Sequence, residues 1–255
     1  MTKRWILVLF LLMLSALGCG SSSSVSVLPC EPRPLRLLFV GNSLTYTNDL
    51  PGLLATLVDS AGMGPFTVSD RSRGGFGLED HWADWRTRDA VGSGNWDLVI
   101  LQQGPSATEG RPSLLEFSKK FADHARAAGT AVALYMVWPS IDRSGDFGGV
   151  FTSYLMAAKN TGSRFFPSGE SWRVAWETDP DLALYGGDGF HPSRLGTYAA
   201  ALVMFEQLTG CSPVGLPASL VTKRGVPYEI DPETALKPQE AAAVANERHA
   251  ITGSG

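Results

Sequence analysis

The sequence predicts an α/β fold, a three-layer α/β/α sandwich around a parallel sheet. Short apolar, β-branched segments typical of buried strands alternate with longer segments in which apolar residues repeat at helical spacing. Each parallel connection must cross back over the sheet, so this alternation places helices on both faces. The apolar residues, 44 % of the 255, are spread evenly and not gathered in two blocks, which favours a single domain.

The first unit is the clearest. The apolar run 35–40 is interrupted only by Arg36, ends at Gly41 and predicts a buried strand, and leucine and valine at helical spacing then predict a helix over 49–60. Ser193 is expected to cap the last core helix, which ends at Gly210. The other predicted elements are strands at 66–68, 97–101, 131–138 and 164–166 and helices at 113–128, 149–160, 169–177 and 238–250.

The N-terminus has the pattern of an export signal. Two cations precede the apolar run 5–17, which is too short for a hydrocarbon core that needs about 20 residues. Residues 15–19, Ser-Ala-Leu-Gly-Cys, resemble the lipobox of bacterial lipoproteins, which implies that Cys19 carries a lipid. The alternative is ordinary secretion with a chance cysteine.

We therefore expect three parts: a signal peptide over 1–18, a serine-rich tether over 19–34, and one domain with a C-terminal helical tail over 35–255. The protein would be exported and held on a bacterial membrane, in the periplasm or at the cell surface, through its lipid alone. The net charge is −4, with 21 basic and 25 acidic residues. Because no basic patch is present, we do not expect a nucleic-acid partner. The sequence does not indicate an oligomeric state.

Two more cysteines flank the predicted core. Cys30 precedes the first strand and Cys211 follows the last core helix. Export to an oxidising compartment allows a disulfide between them. Two unrelated thiols are the alternative.

Ser43 follows the first strand at the position where ligands bind in open α/β sheets, just beyond the carboxyl end. There, neighbouring backbone N–H groups can receive an oxyanion. Position alone equally fits a turn or capping serine. A serine nucleophile also needs a base, since the free hydroxyl reacts poorly.

The chain offers four histidines. His249 lies in the polar tail helix and His124 within an amphipathic helix, so both fit structural roles. His81 lies next to a tryptophan and is either structural or site-lining. His191 differs, because it lies in a glycine-rich loop before a helix, three residues after Asp188. That spacing can place the carboxylate against one ring nitrogen and leave the other for a serine.

Asp-x-x-His has other readings, a plain turn with a cap or a pair of metal ligands. Without further clustering of histidine or cysteine we expect no metal, and no other cofactor. Two segments then strengthen the catalytic reading. Gly41-Asn42-Ser43-Leu44-Thr45 resembles the first conserved block of the SGNH or GDSL hydrolases, and Asp188-Gly189-Phe190-His191-Pro192 resembles their last block. The motif Gly-x-Ser-x-Gly of α/β-hydrolases is absent around Ser43.

The resemblance covers residues 35–212 and implies a flavodoxin-like sheet and a catalytic triad of Ser43, Asp188 and His191. It also implies an oxyanion hole. The glycine of the second block falls at Gly75, although a tight turn alone would also explain that glycine.

The third block departs from Gly-x-Asn-Asp. By position, Ser106 replaces the asparagine that donates to the oxyanion, while Gln102 or Gln103 can reach the same place from the end of the strand.

Together, these expectations predict a serine hydrolase that cleaves esters through an acyl-enzyme intermediate. Analogy with carbohydrate esterases of this superfamily predicts small acyl groups, above all acetyl, on small molecules or glycans. Two alternatives stay open: an acyltransferase that uses the same triad on envelope glycans, and a surface-anchored binding protein without turnover.

Overall fold

Five parallel strands form the central sheet in the computed structural model, which describes residues 28–249. They follow the order β2-β1-β3-β4-β5, which places the first strand between the second and third. The strands are β1 Leu35–Val40, β2 Phe66–Asp70, β3 Leu98–Leu101, β4 Ala131–Tyr135 and β5 Arg164–Phe166. Every residue of β3 is buried, as a strand covered on both faces requires.

Helices flank this sheet and confirm the three-layer α/β/α class. One group of contacting helices comprises α2, α7, α8 and α9, and α3 to α6 form a second. The helices are α1 Ser43–Tyr46, α2 Leu50–Ser60, α3 Leu78–Ala83, α4 Trp85–Gly92, α5 Arg111–Ala127, α6 Phe147–Thr161, α7 Ser168–Thr178, α8 Arg194–Thr209 and α9 Pro232–His249.

Local sequence signals set the ends of three helices. The Ser193 hydroxyl accepts from the N–H of Gly196 and α8 ends at Gly210 with φ of 72°, both as predicted. Helix α5 begins before the predicted cap at Ser113, since Pro112 is tolerated in a first turn. Helix α9 begins at Pro232 and passes through Pro238 instead of starting there.

A short antiparallel hairpin follows the core helices. Its strands are β6 Ser219–Val221 and β7 Pro227–Glu229, and β6 contacts α2. We call residues 219–229 the C-terminal hairpin. It was not predicted from the sequence, because both strands are short and mostly exposed and so lack the buried apolar run that marks the strands of the sheet.

A disulfide joins Cys30 to Cys211, with Cα atoms 4.8 Å apart. Residues 28–34, assigned above to the tether, are tied to the domain: the backbone N–H of Arg33 donates to Met63 O at 3.2 Å, and its guanidinium donates to Leu208 O at 3.1 Å. The signal peptide, Cys19 and the rest of the tether lie outside the described residues. Within 28–249, no helix has the length and apolar character needed to cross a membrane.

Candidate active site

Ser43 is the first residue of α1, just beyond the carboxyl end of β1. Asn42 caps this short helix, its side-chain oxygen accepting from Leu44 N at 3.1 Å. The amide nitrogen of Asn42 donates to Phe76 O at 3.0 Å, which ties the serine turn to the glycine-rich segment after β2. Strands β1, β2 and β3 are parallel neighbours, so the loops after all three leave from one edge of the sheet.

His191 lies in a tight loop between α7 and α8. Tyr185 and Pro192 form an isolated antiparallel bridge at the base of the loop, and Gly189 turns its tip with φ of 68°. The indole of Trp138, which follows β4, donates to Phe190 O at 3.1 Å. The loop is therefore anchored to the same sheet edge that carries Ser43.

The three predicted triad residues form one hydrogen-bonded chain. His191 Nε2 lies 2.8 Å from Ser43 Oγ, and His191 Nδ1 lies 2.5 Å from Asp188 Oδ2. The second oxygen of Asp188 accepts from the backbone N–H groups of Phe190 at 3.0 Å and His191 at 2.9 Å. The hydrogen bond with His191, helped by these two N–H groups, lowers the pKa of Asp188 to about 2. The carboxylate is thus ionised at neutral pH and can orient the imidazole.

Gly75 occupies a type II turn. Phe76 N donates to Arg73 O at 3.1 Å, and Gly75 has φ of 76° at the position that requires glycine. The turn explains why this residue is glycine. It leaves the Gly75 N–H available as an oxyanion donor, since that N–H has no acceptor within residues 28–249. The N–H of Ser43 is equally free of an acceptor there.

The loop after β3 uses its polar groups internally. Ser106, with φ of 58°, donates its hydroxyl to Gly104 O at 2.9 Å. Gln103 donates both amide hydrogens, to Ser106 Oγ at 3.0 Å and Gly110 O at 3.2 Å. Gln102 is 1 % exposed and accepts from Asn42 N at 2.8 Å. This bonding does not favour the donor role predicted for Ser106, which stays a prediction.

The other histidines lie apart from this chain of hydrogen bonds. His124 contacts Arg88 O at 2.9 Å, and His249 packs edge-on against Phe151. His81 is fully buried in α3, with Nε2 2.7 Å from Gly41 O. Burial lowers its pKa and favours the neutral form, which donates to that carbonyl two residues before Ser43. From the sequence alone His81 fitted either a structural or a site-lining role, and in the structure it supports the turn that carries Ser43.

A cavity of about 420 Å³ adjoins the triad loop. Phe190 lines it on the triad side and Ser106 on the side of β3, while its polar wall contains an ion-pair cluster in which Arg143 contacts Glu109 at 3.2 Å and Asp146 at 2.6 Å. In the part of the chain that the structure describes, no group of three or more histidine, cysteine or acidic residues could hold a metal ion.

No protein-family model matches the sequence, and no curated protein matches it. Several solved structures do match this chain. A candidate SGNH hydrolase from Slackia heliotrinireducens is 26 % identical, with a TM-score of 0.59 over 68 % of this chain and 98 % of its own. A lipase/acylhydrolase from Enterococcus faecalis is 12 % identical, with a TM-score of 0.58 over 69 % and 96 %. An acetylxylan esterase from Geobacillus stearothermophilus is 15 % identical, with a TM-score of 0.52 over 67 % and 93 %.

The chain therefore has the SGNH hydrolase fold, as the two short motifs implied. At the edge of the sheet, a serine, a histidine and an aspartate are joined by hydrogen bonds. The fold and this arrangement together are the features of a carboxylic ester hydrolase of the SGNH type.

Proposed function

We propose that this protein hydrolyses carboxylic esters, with Ser43 as nucleophile, His191 as general base and Asp188 as the residue that orients the imidazole. The observation that carries the proposal is the continuous chain from Asp188 through His191 to Ser43, with contacts of 2.5 and 2.8 Å. The 2.8 Å between His191 Nε2 and Ser43 Oγ lies within the reach that proton transfer requires, and the contact with Asp188 holds the imidazole in place for it.

The reaction proceeds in two halves. Ser43 Oγ attacks the ester carbonyl while His191 Nε2 takes the serine proton, and the imidazole then gives that proton to the departing alcohol. Water, deprotonated by the same nitrogen, then attacks the acyl-enzyme, and the imidazole returns that proton to Ser43 Oγ as the acid leaves. The free N–H groups of Ser43 and Gly75 are suited to receive the negative charge that develops on the carbonyl oxygen.

The substrate class we propose is a small acyl group, acetyl above all, on a hydroxylated alcohol such as a sugar or glycan. The cavity beside Phe190 supports it, because its wall combines apolar surface with the charged groups of Arg143, Glu109 and Asp146. Exposed charged groups of both signs can exchange hydrogen bonds with sugar hydroxyls.

The test is a screen of residues 25–255 against aryl esters of graded acyl length and against acetylated sugars. We expect hydrolysis that is fastest with acetyl, loss of turnover in Ser43→Ala, and unchanged turnover in Ser212→Ala, a serine beyond the end of α8. Covalent labelling by an activated phosphonate should require Ser43 in the same way. Wild-type protein that is neither labelled nor active would contradict the proposal and favour a binding protein. Transfer of acetyl to an added sugar in preference to water would favour an acyltransferase.

We further propose that the protein is exported and anchored through a lipid on Cys19. The lipobox-like residues 15–19 support this. Cys19→Ser should release the protein from membranes with its esterase activity intact. A variant that stays membrane-bound would instead indicate an uncleaved signal segment.

A further inference from the structure

Two consecutive residues between α1 and α2 have left-handed backbones although neither is glycine. Asn48 has φ of 56° and Asp49 has φ of 58°. This conformation is unfavourable for residues with a Cβ atom, so a pair of them persists only where surrounding contacts hold it. The turn lies five residues after the nucleophile, and we call residues 48–49 the left-handed turn.

The C-terminal hairpin holds Asp49. Its carboxylate is 5 % exposed and accepts from Thr222 Oγ1 at 2.7 Å, from the guanidinium of Arg224 at 3.1 Å and from Gly52 N at 3.2 Å. A Cβ atom on Gly52 would lie 2.0 Å from the carboxylate, so the start of α2 is shaped to admit it. The hairpin thus supplies the positive charge and the hydroxyl that a buried carboxylate needs.

The same hairpin holds Asn48 from the other side. The hydroxyl of Tyr228, a residue 1 % exposed, donates to Asn48 O at 2.7 Å. The side-chain amide of Asn48 then donates one hydrogen to Pro192 O at 2.9 Å and the other to Thr197 Oγ1 at 3.0 Å. Pro192 directly follows the base His191. Asn48 therefore joins the nucleophile loop to the base loop.

We propose that the C-terminal hairpin is a positioning element of the active site: it fixes the left-handed turn, and Asn48 in that turn holds the loop of His191 at its distance from Ser43. The inference rests on the proposed function, because it concerns the distance between the proposed nucleophile and its base. It assigns no contact with substrate to Asn48 or Tyr228. Between loops 43–49 and 185–193, as the structure describes them, the side-chain hydrogen bonds are the Ser43–His191 contact itself and the one from Asn48 to Pro192.

Small displacements matter here, since a shift of about 1 Å between reacting groups can lower a rate by about a hundredfold. A base loop freed from Asn48 keeps its fold but loses its fixed distance to the nucleophile. We therefore expect removal of the Asn48 bridge to lower kcat and to leave KM little changed.

The first test is Asn48→Gly. Glycine adopts the left-handed backbone without strain and removes both amide donors, so the variant folds while the bridge is absent. We expect kcat for an aryl acetate, and the rate of phosphonate labelling of Ser43, to fall about tenfold or more. The thermal midpoint should stay close to that of the wild type.

The second test compares two tyrosines of the C-terminal region. Tyr228→Phe removes the bond to Asn48 O. Tyr198→Phe removes buried bonds of the same kind, one to Leu216 O at 3.2 Å and one from Gln239 Nε2 at 2.8 Å, and none of them involves residues 48–49. We expect Tyr228→Phe to slow labelling and Tyr198→Phe not to. Equal slowing in both variants would reduce the effect to general stability and overturn the inference.

The outcomes separate the two proposals. Wild-type protein that is not labelled at Ser43 contradicts the proposed function, and the inference falls with it. Wild-type protein that is labelled, with Asn48→Gly labelled equally fast, leaves the esterase standing and overturns the positioning role alone.

Discussion

Gln102→Leu removes a buried amide on which two groups beside the nucleophile depend. Oε1 of Gln102 accepts from the backbone N–H of Asn42 and from the hydroxyl of Thr45, each at 2.8 Å. Gln102 and Thr45 are each 1 % exposed, so water does not replace a lost partner. Leucine has a similar volume and accepts nothing, which leaves both donors unsatisfied.

An unsatisfied buried donor costs about 1–3 kcal/mol, so the two donors left by Gln102→Leu should lower the free energy of unfolding by about 2–6 kcal/mol. Thr45→Val removes the hydroxyl together with its need for an acceptor and should cost only about 1 kcal/mol. In the double variant no hydroxyl is left unsatisfied, so the combined loss should be about 1 kcal/mol smaller than the sum of the two.

Urea unfolding of the four proteins, followed by tryptophan fluorescence, measures these differences. The slope with denaturant must stay constant for the comparison to be valid. Losses that add without coupling, or a Gln102→Leu protein as stable as the wild type, would show that the amide does not hold the serine turn.

Three further predictions concern the loop after β3, the triad aspartate and the disulfide. Ser106→Ala should keep kcat within about threefold, because its hydroxyl donates to Gly104 O, whereas loss of an oxyanion donor costs about a hundredfold or more. A hundredfold loss would instead support the donor role predicted from the sequence. Asp188→Asn should lower kcat by about 10³–10⁴-fold. Because the pKa of Asp188 is lowered to about 2, its contribution to stability is present above about pH 4 and is lost as the pH falls toward 2. The difference in thermal midpoint between Asp188→Asn and the wild type should therefore shrink in that window, and a constant difference would contradict the assignment. Reduction of the Cys30–Cys211 disulfide should lower stability by about 2–4 kcal/mol, and titration of two free thiols in the native protein would contradict the bond.

Much of the fold could be predicted because its signals are local. The apolar run of β1 and the helical spacing of α2 each lie within a dozen residues, and the boundaries of β1 and β5 are those predicted. Helices α3 and α4 were missed because they bury few residues: Leu78 and His81 in one, Thr87 and Val91 in the other. A helix with so narrow an apolar face gives little periodicity to detect.

The candidate site likewise has residues that could be predicted from the sequence and contacts that could not. Ser43, Asp188 and His191 could be found because each motif is short and its chemistry is carried by residue type. The support from Asn48 could not, since its partner Pro192 is 144 residues away and nothing in either segment specifies the other. Contacts of that kind follow only from the packing of the C-terminal hairpin against the turn.

The departure in the third block changes which groups can stabilise the oxyanion. Ser106 and Gln103 use all their side-chain hydrogens within their own loop. Gln102 keeps one amide hydrogen without an acceptor among the described residues, but it is buried and its oxygen is engaged beside the serine turn. A side chain that moved to meet the substrate would have to abandon these bonds, at the cost of an unsatisfied buried donor. We therefore expect the N–H groups of Ser43 and Gly75, held in place by the helix cap and the turn, to receive the charge, with the glutamines acting to fix the backbone that presents them.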